Sequence, residues 1–416
     1  MVASRNGLVA ALDVGTSKVC CFVAKLDDES ERPRIVGIGH HVSKGVRSGS
    51  VVDMDEAEAV IRATVEAAER MAGERIEDVF VNVSSGQPKS ETFGVEVSTE
   101  GHEIGEEDIR HILVVGRNQF DGGDRLLLHA LPVGYAVDGV RGVREPRGLY
   151  GDRLSVDMHI VTAAASPLRN LQLCIERGHL GVEGMCMSAY ASGLACLEEE
   201  EMEMGVICLD MGGGTTSIGV FIEGALVYTD VVPIGGSHVT NDIAKGLLTP
   251  TVHAERIKSL HGSATAGVSD DTTMIQVPQL GEAGSEAARS VSRAKLNGII
   301  RPRVQEILEL VRAKLTASGF DKIAGNSIVL TGGGAQLTGI REITTQILDR
   351  EVRIGQPKCV QGLAEATSGP AFATCAGLVR FAQQTEPERE HSLAARNLVA
   401  GVWRLGRIGR WLRDNF

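Results

Sequence analysis

One pattern occurs twice in this chain and limits the folds open to it. Residues 7–26 read GLVAALDVGTSKVCCFVAKL, an apolar strand that ends on an aspartate, a glycine turn with hydroxyls, and a second apolar strand. Residues 205–228, GVICLDMGGGTTSIGVFIEGALVY, repeat that order, so Asp13 and Asp210 fall at equivalent places 197 residues apart. A strand–turn–strand unit repeated at that distance predicts a duplicated, two-lobed α/β fold. The length agrees, since domains usually run to about 100–200 residues and this chain has 416.

Between and after the two copies the texture is mixed. RIVGIG at 34–39 predicts a third strand, and 55–72 an amphipathic helix with Ala57, Val60, Ile61, Thr64, Val65, Ala68 and Met71 on one face and Gly73 ending it. DVFVNV at 78–83 predicts a strand. From 85 to 162, glycines, charges and short alternating runs predict a small α+β insert. Helices follow at 167–177 and 188–197, with Glu198–Glu201 as a solvated exit loop. Residues 262–290, rich in Gly, Ser and Thr, predict a mobile stretch, and a long helix over about 292–317 carries Pro302 as a kink or restart. Residues 386–395 predict a polar linker.

Glycine is abundant, with 50 residues, which implies many tight turns. Backbone N–H groups reach phosphate oxygens only where the chain can come close, so glycine turns carrying hydroxyls suit a phosphate site. Two such turns are present: Gly15, Thr16, Ser17 and Lys18 after Asp13, and Gly212, Gly213, Gly214, Thr215 and Thr216 after Asp210. Two carboxylates facing across a cleft can hold a hydrated Mg²⁺, which takes few protein ligands, so Asp13 and Asp210 are the candidate metal residues, acting through water. Lys18 can meet a phosphate as a point charge. A third loop, Gly332, Gly333, Gly334 and Ala335 in TGGGAQL, follows an apolar strand and suits a base or ribose. A fourth, Gly235 and Gly236, opens a helix, and helix N-termini favour anions. No GxxxxGK[ST] motif occurs. No catalytic residue is assigned. The segment SAYASGLAC offers only Ser188, Tyr190 and Ser192 where a catalytic group would sit.

The eight cysteines form no CxxC pair and lie mostly in apolar runs, which predicts buried thiols rather than disulfides or metal ligands. The net charge of −12 argues against non-specific nucleic-acid binding. That charge is uneven. Residues 396–416 carry five arginines against Asp414, a net of +4, so the rest of the chain carries −16 against the overall −12. On a helical wheel Leu398, Val402, Leu405, Ile408, Leu412 and Phe416 share one face. Arg404 and Arg413 flank it, Arg407 and Arg410 lie opposite, and Trp411 sits at a boundary. Trp403 falls on the polar side and does not fit. This predicts a basic amphipathic helix lying in the headgroup plane of anionic lipids. No run of 18 apolar residues is present to span a bilayer.

The order of the motifs resembles that of the actin, Hsp70 and sugar-kinase ATPases. Five segments narrow it: LDVGTSKVCCFVA, LDMGGGTTSIGVF, GGSHVTNDIAKGL, RPRVQEILELV and VLTGGGAQLTGI together resemble the FtsA family of bacterial cell-division proteins, over about residues 7–416. The resemblance implies an actin-like fold of two RNase H-like lobes: subdomain 1A (7–84 and 163–198, with a return at 370–385), 1C (85–162), 2A (199–236 and 303–369), 2B (237–302), a linker (386–395) and a membrane-targeting helix (396–416). It implies ATP and Mg as cofactors, with Glu255 and Lys258 on the adenosine. It implies partners: the C-terminal peptide of FtsZ at Arg293, Asn297 and Arg301, further copies of the chain in a polymer, other division proteins, and the inner face of the cytoplasmic membrane at the septum. ATP turnover would be slow at most. The competing readings are a pilus-assembly PilM-like protein, a small-molecule kinase, and an Hsp70-like chaperone, which the short stretch after 385 disfavours.

Overall fold

The computed structural model describes residues 7–26, 32–120, 122–280 and 288–385. The predicted C-terminal helix and linker, with Leu398 through Phe416, lie outside the described residues.

The two copies of the repeated unit form two separate sheets of the same topology. In the first lobe the strand order is Gly181–Met187, Asp78–Val83, Leu8–Val14, Lys18–Lys25, Arg34–Val42. In the second it is Glu351–Ile354, Ser327–Thr331, Val206–Met211, Thr216–Ile222, Ala225–Val232. Each sheet joins a three-stranded antiparallel meander to two further strands that run parallel to its first member. The register repeats as well: Asp13 lies opposite Cys20, and Asp210 opposite Ser217, each seven residues on. The central strands are apolar throughout because both faces are covered. Helix Met54–Ala72 covers one face of the first sheet, capped by the Asp53 carboxylate on the Glu56 N–H (3.0 Å) and ended by Gly73.

A four-stranded sheet interrupts the first lobe, in the order Lys89–Ser98, Arg153–Ala164, Arg125–Val137, Val140–Val143. Helix Glu106–Asn118 packs on it, and Ile109, Ile112, Val95, Leu154, Val156 and Met158 form a core of its own. The second lobe carries helices Gly236–Leu247 and Thr251–His261, the hairpin Met274–Pro278 with Ala288–Ser292, and the long helix Arg293–Ser318.

The lobes share a core beneath the cleft. Ala11, Cys20 and Phe22 of the first lobe meet Cys208, Phe221 and Val329 of the second through helix Ser188–Cys196 and a helix over 373–385. Those two helices nearly touch: a Cβ built on Gly377 would lie 1.7 Å from the Ala191 carbonyl oxygen.

Three sequence expectations change. Glu198–Glu200 are exposed as a solvated run is, but the stretch is not a loop. Glu199–Met204 is a short helix, and Arg353 binds Glu201 through Nε (2.6 Å), so the acidic run fastens the start of the second lobe to its last strand. Helix Arg293–Ser318 continues through Pro302, so the proline does not restart the chain there. Residues 263–273 are tied down rather than mobile. Ala264 N–H donates to Thr338 O (2.8 Å), and Asp270 is held by the Gly267 N–H (2.7 Å) and by Asn297 Nδ2 (2.8 Å).

Adding one methyl at the helix crossing tests the packing. Gly377→Ala is expected to lower unfolding stability by about 3 kcal/mol or more, as overpacking a dense core does. Urea denaturation followed by circular dichroism reads this out, and a loss below about 1 kcal/mol would place the two helices further apart.

Candidate nucleotide cleft

The carboxyl ends of parallel strands are where ligands bind in α/β sheets, because loops diverge there and leave a crevice. Both lobes direct those ends toward one another. A cavity of about 480 Å³ lies between them. It is lined by Asp13 and the Gly15–Lys18 turn, by Asn82, Ser84 and Ser188 at the neighbouring strand ends, and by Asp210 and Gly212–Thr215 from the other side. The size falls within the usual range for small-molecule sites.

The two turns are built alike. Gly15 N–H donates to Lys18 O (3.0 Å), and Gly212 N–H donates to Thr215 O (2.9 Å). They also approach each other closely, and a Cβ on Gly213 would meet Ser17 Oγ at 1.9 Å. Ser17 Oγ lies 3.1 Å from Ser237 Oγ, which joins the first turn to helix Gly236–Leu247. That helix differs from expectation. Its first amides, Gly236 N–H and Ser237 N–H, already donate to Gly212 O (2.9 Å) and Gly213 O (2.8 Å), so its N-terminus holds the second turn in shape.

The aspartates sit at the penultimate residue of their strands, and both are buried. Burial pushes Asp13 up to about 6, against the pull of Lys18, whose Nζ is 3.9 Å away; Asp210 adds repulsion. Burial also raises Asp210, although Ser192 Oγ (2.6 Å) and Thr374 Oγ1 (2.7 Å) both donate to its Oδ2. Two buried carboxyls that line one cavity, each raised by burial more than Lys18 lowers it, fit hydrated Mg²⁺ carried in with phosphates. Among the described residues no three His, Cys, Asp or Glu side chains converge as a metal cage.

The remaining expected residues divide. Gly332, Gly333, Gly334 and Gly236 line the cavity, with Gly332 at φ +82° and a Cβ there only 2.3 Å from Asp210 Oδ1. Gly235, Ala335 and Thr216 stand behind the wall: Thr216 Oγ1 donates to Ile234 O (2.9 Å), and Ala335 is buried. Glu255 and Lys258 both line the cavity. Lys258 Nζ binds Glu255 Oε2 and Thr240 Oγ1, each at 2.8 Å. Lys18 does not point freely into the cavity, since its Nζ donates to the Ala371 carbonyl and lies 4.1 Å over the Phe372 ring. Ser188 and Ser192 are structural donors, to Val83 O (3.2 Å) and Asp210, and Tyr190 packs among His129, Phe221 and Phe381.

Of the proposed peptide-binding face, Arg301 is exposed, but Asn297 is not available. It is 6% exposed, its Oδ1 accepts from Ser263 N–H (2.8 Å) and its Nδ2 donates to Asp270. Arg293 lies against the same Asp270, with Nε 3.4 Å from Oδ1. The helical spacing was right, but a side chain at that position turns inward.

Asn82, Thr374 and Ala371 were missed. Asn82 Oδ1 accepts from Val14 N–H (2.7 Å) and Nδ2 donates to Ser188 Oγ (3.1 Å), fixing the strand end beside Asp13. An asparagine inside the apolar run DVFVNV was the signal for it.

Comparison with known proteins bears on this arrangement. A family model described as cell division protein FtsA matches residues 207–377, and a second, the SHS2 domain inserted in FtsA, matches residues 85–162. A protein of Agrobacterium fabrum named cell division protein FtsA is 44% identical, over 100% of this chain and 96% of its own. The chain belongs to the FtsA family. The actin-like fold agrees. The solved PilM–PilN type IV pilus biogenesis complex matches with TM-score 0.62 at 16% identity, over 90% of this chain and 98% of that one. MreB5 of Spiroplasma citri bound to AMPPNP matches with 0.57 at 14%, over 94% and 100%. The FtsA-family insert is the separately cored sheet described above. No described helix is long and apolar enough to cross a membrane.

The aspartate pair makes a measurable difference to stability. Asp13 titrates near 6 when folded and at 3.8 when unfolded, so the native state holds more protons between these values and gains stability as pH falls through them. Asp13→Asn removes the penalty. It is expected to be more stable than the parent at pH 7.5, by up to about 3 kcal/mol, with the gap narrowing from pH 6 toward pH 4. Urea midpoints across that range test it, and an Asp13→Asn protein less stable at pH 7.5 would contradict the unrelieved burial.

Proposed function

We propose that this FtsA-family chain binds a magnesium–adenine nucleotide in the cleft and links FtsZ filaments to the inner face of the cytoplasmic membrane. The observation that carries the nucleotide reading is the pair of matching aspartate-led turns opposed across one cavity, with the Gly332–Gly334 loop and the Glu255–Lys258 pair on its remaining wall. The backbone amides of the turns would take the phosphates, Asp13 and Asp210 the hydrated metal, and Lys258 with the glycine loop the adenosine. Bound Mg²⁺ would supply neutralising charge to the phosphates and to the two carboxylates. The MreB5 structure, solved with AMPPNP, is consistent with a nucleotide in this fold.

No general base is assigned. Asp210 is occupied by Ser192 and Thr374, and Glu255 by Lys258 and Thr240. The cleft therefore suits a nucleotide held as a conformational brace with slow turnover rather than a phosphoryl transfer to a small substrate.

The membrane reading rests on residues 396–416. Their net +4 contributes about 4 kcal/mol at an anionic surface, added to burial of Leu398, Val402, Leu405, Ile408, Leu412 and Phe416. One such segment binds reversibly. Alignment of many in an actin-like polymer of this chain raises avidity by roughly 10²–10⁴-fold. The FtsZ C-terminal peptide, which is acidic in this reading, would meet the exposed Arg301 and the edge of Arg293, without Asn297. Membership of the FtsA family supports a role in recruiting further division proteins at the septum.

Calorimetry and liposome co-sedimentation test the two halves separately. Mg–ATP is expected to bind the full chain, and Gly213→Val to weaken it at least 100-fold. Deletion of 396–416 is expected to leave that affinity intact while lowering sedimentation with anionic vesicles at least tenfold. No nucleotide uptake would reject the first half, and unchanged sedimentation would reject the second.

A further inference from the structure

Residues 370–374 touch three walls of the cleft at once. Pro370 O accepts from Gly332 N–H (3.2 Å), at the loop assigned to the adenosine. Ala371 O accepts from Lys18 Nζ, and the Phe372 ring lies 4.1 Å beneath the same ammonium, at the first turn. Thr374 Oγ1 donates to Asp210 Oδ2 (2.7 Å), at the second.

From there the chain leaves the cleft as a helix over 373–385, about 20 Å long at 1.5 Å per residue. Cys375, Ala376, Leu378 and Val379 are fully buried, and Gly377 lies against the backbone of helix Ser188–Cys196, so the helix has little room to shift alone. Its far end reaches the insert. The Phe381 ring meets those of His129 (5.6 Å), Tyr190 (6.0 Å) and Phe80 (6.0 Å), all nearly edge-on. His129 belongs to insert strand Arg125–Val137, and its Nε2 accepts from Met187 N–H (3.0 Å). Burial holds that imidazole neutral, with its pKa pushed down to about 3, which keeps Nε2 an acceptor. Met187 directly precedes Ser188 of the cleft wall.

We propose that residues 370–385 are a coupling element, in which the Ala371–Phe372 turn registers the position of Lys18 and Phe381 passes the displacement to the insert through His129. The proposal rests on the nucleotide reading of the cleft. A phosphate at the first turn would compete with the Ala371 carbonyl and the Phe372 face for the Lys18 ammonium and draw it off them. Leaving them frees the turn that also holds Gly332 and Asp210. A close-packed helix moves as a unit rather than absorbing such a change locally. The ring cluster at its end is the contact between that helix and the insert that would feel it.

Hydrogen exchange on the full chain, with and without Mg²⁺ and a non-hydrolysable ATP analogue, tests this. In the parent, amides of 212–215 and, separately, amides of 126–131 with Met187 are expected to change exchange rate at least threefold. Phe381→Leu keeps a half-buried apolar side chain but removes the ring edges. It is expected to bind the analogue within threefold of the parent and respond at 212–215, while the insert response falls below 1.5-fold. Phe372→Leu reads the near end and is expected to halve the insert response or more. A parent whose cleft responds while the insert does not overturns the coupling and leaves nucleotide binding standing. A full insert response in either variant also overturns it. No uptake and no response at 212–215 overturns both readings.

Discussion

Two carboxylates buried side by side at strand ends set the terms for everything around them. A buried charge is costly unless it is neutralised or well bonded, and here the relief is incomplete. Lys18 pairs with Asp13 and acts on Asp210 only through space, and two hydroxyls reach one oxygen of Asp210. A fold selected for stability alone would replace such a pair with apolar side chains. Its retention in both lobes, at the same register position, marks the cleft as the working part of the molecule. The glycine turns, the Asn82 bracket and the helix that holds the second turn all serve to keep that pair in place.

The lobes are duplicates in topology but not in their attachments. The first carries an insert with its own core, and the second carries a helical cap closed by the long helix Arg293–Ser318. The two are joined by a common core of small side chains and one aromatic from each sheet, Phe22 and Phe221. Small residues such as Ala191, Ala195 and Ala376 let backbones approach closely there.

How much of this was legible in the sequence depended on whether local pattern or distant contact decided each residue. The repeated aspartate-led units were legible because strand period and turn chemistry are local, and the duplicated sheets follow from them. The helix Met54–Ala72 was legible from its periodicity. Asn297 was misjudged because helical spacing gives a face but not what that face meets, and Asp270, 27 residues away, turned it inward. The hold of Arg353 on Glu201 is hidden for the same reason, the two being remote in sequence. The hold of Ala371 and Phe372 on Lys18 joins residues 353 apart, and nothing in either segment announces it.

The route of the chain has a consequence during synthesis. The sheet of the second lobe is complete within residues 206–354, but the first lobe packs Ala11 and Cys20 against Cys375 and its helix. The first half to emerge from the ribosome is thus the last to finish. At about 5–20 residues per second, its apolar underside waits roughly 20–70 s for its final helix. During that interval the part of the first lobe that Cys375 and its helix later cover stays open.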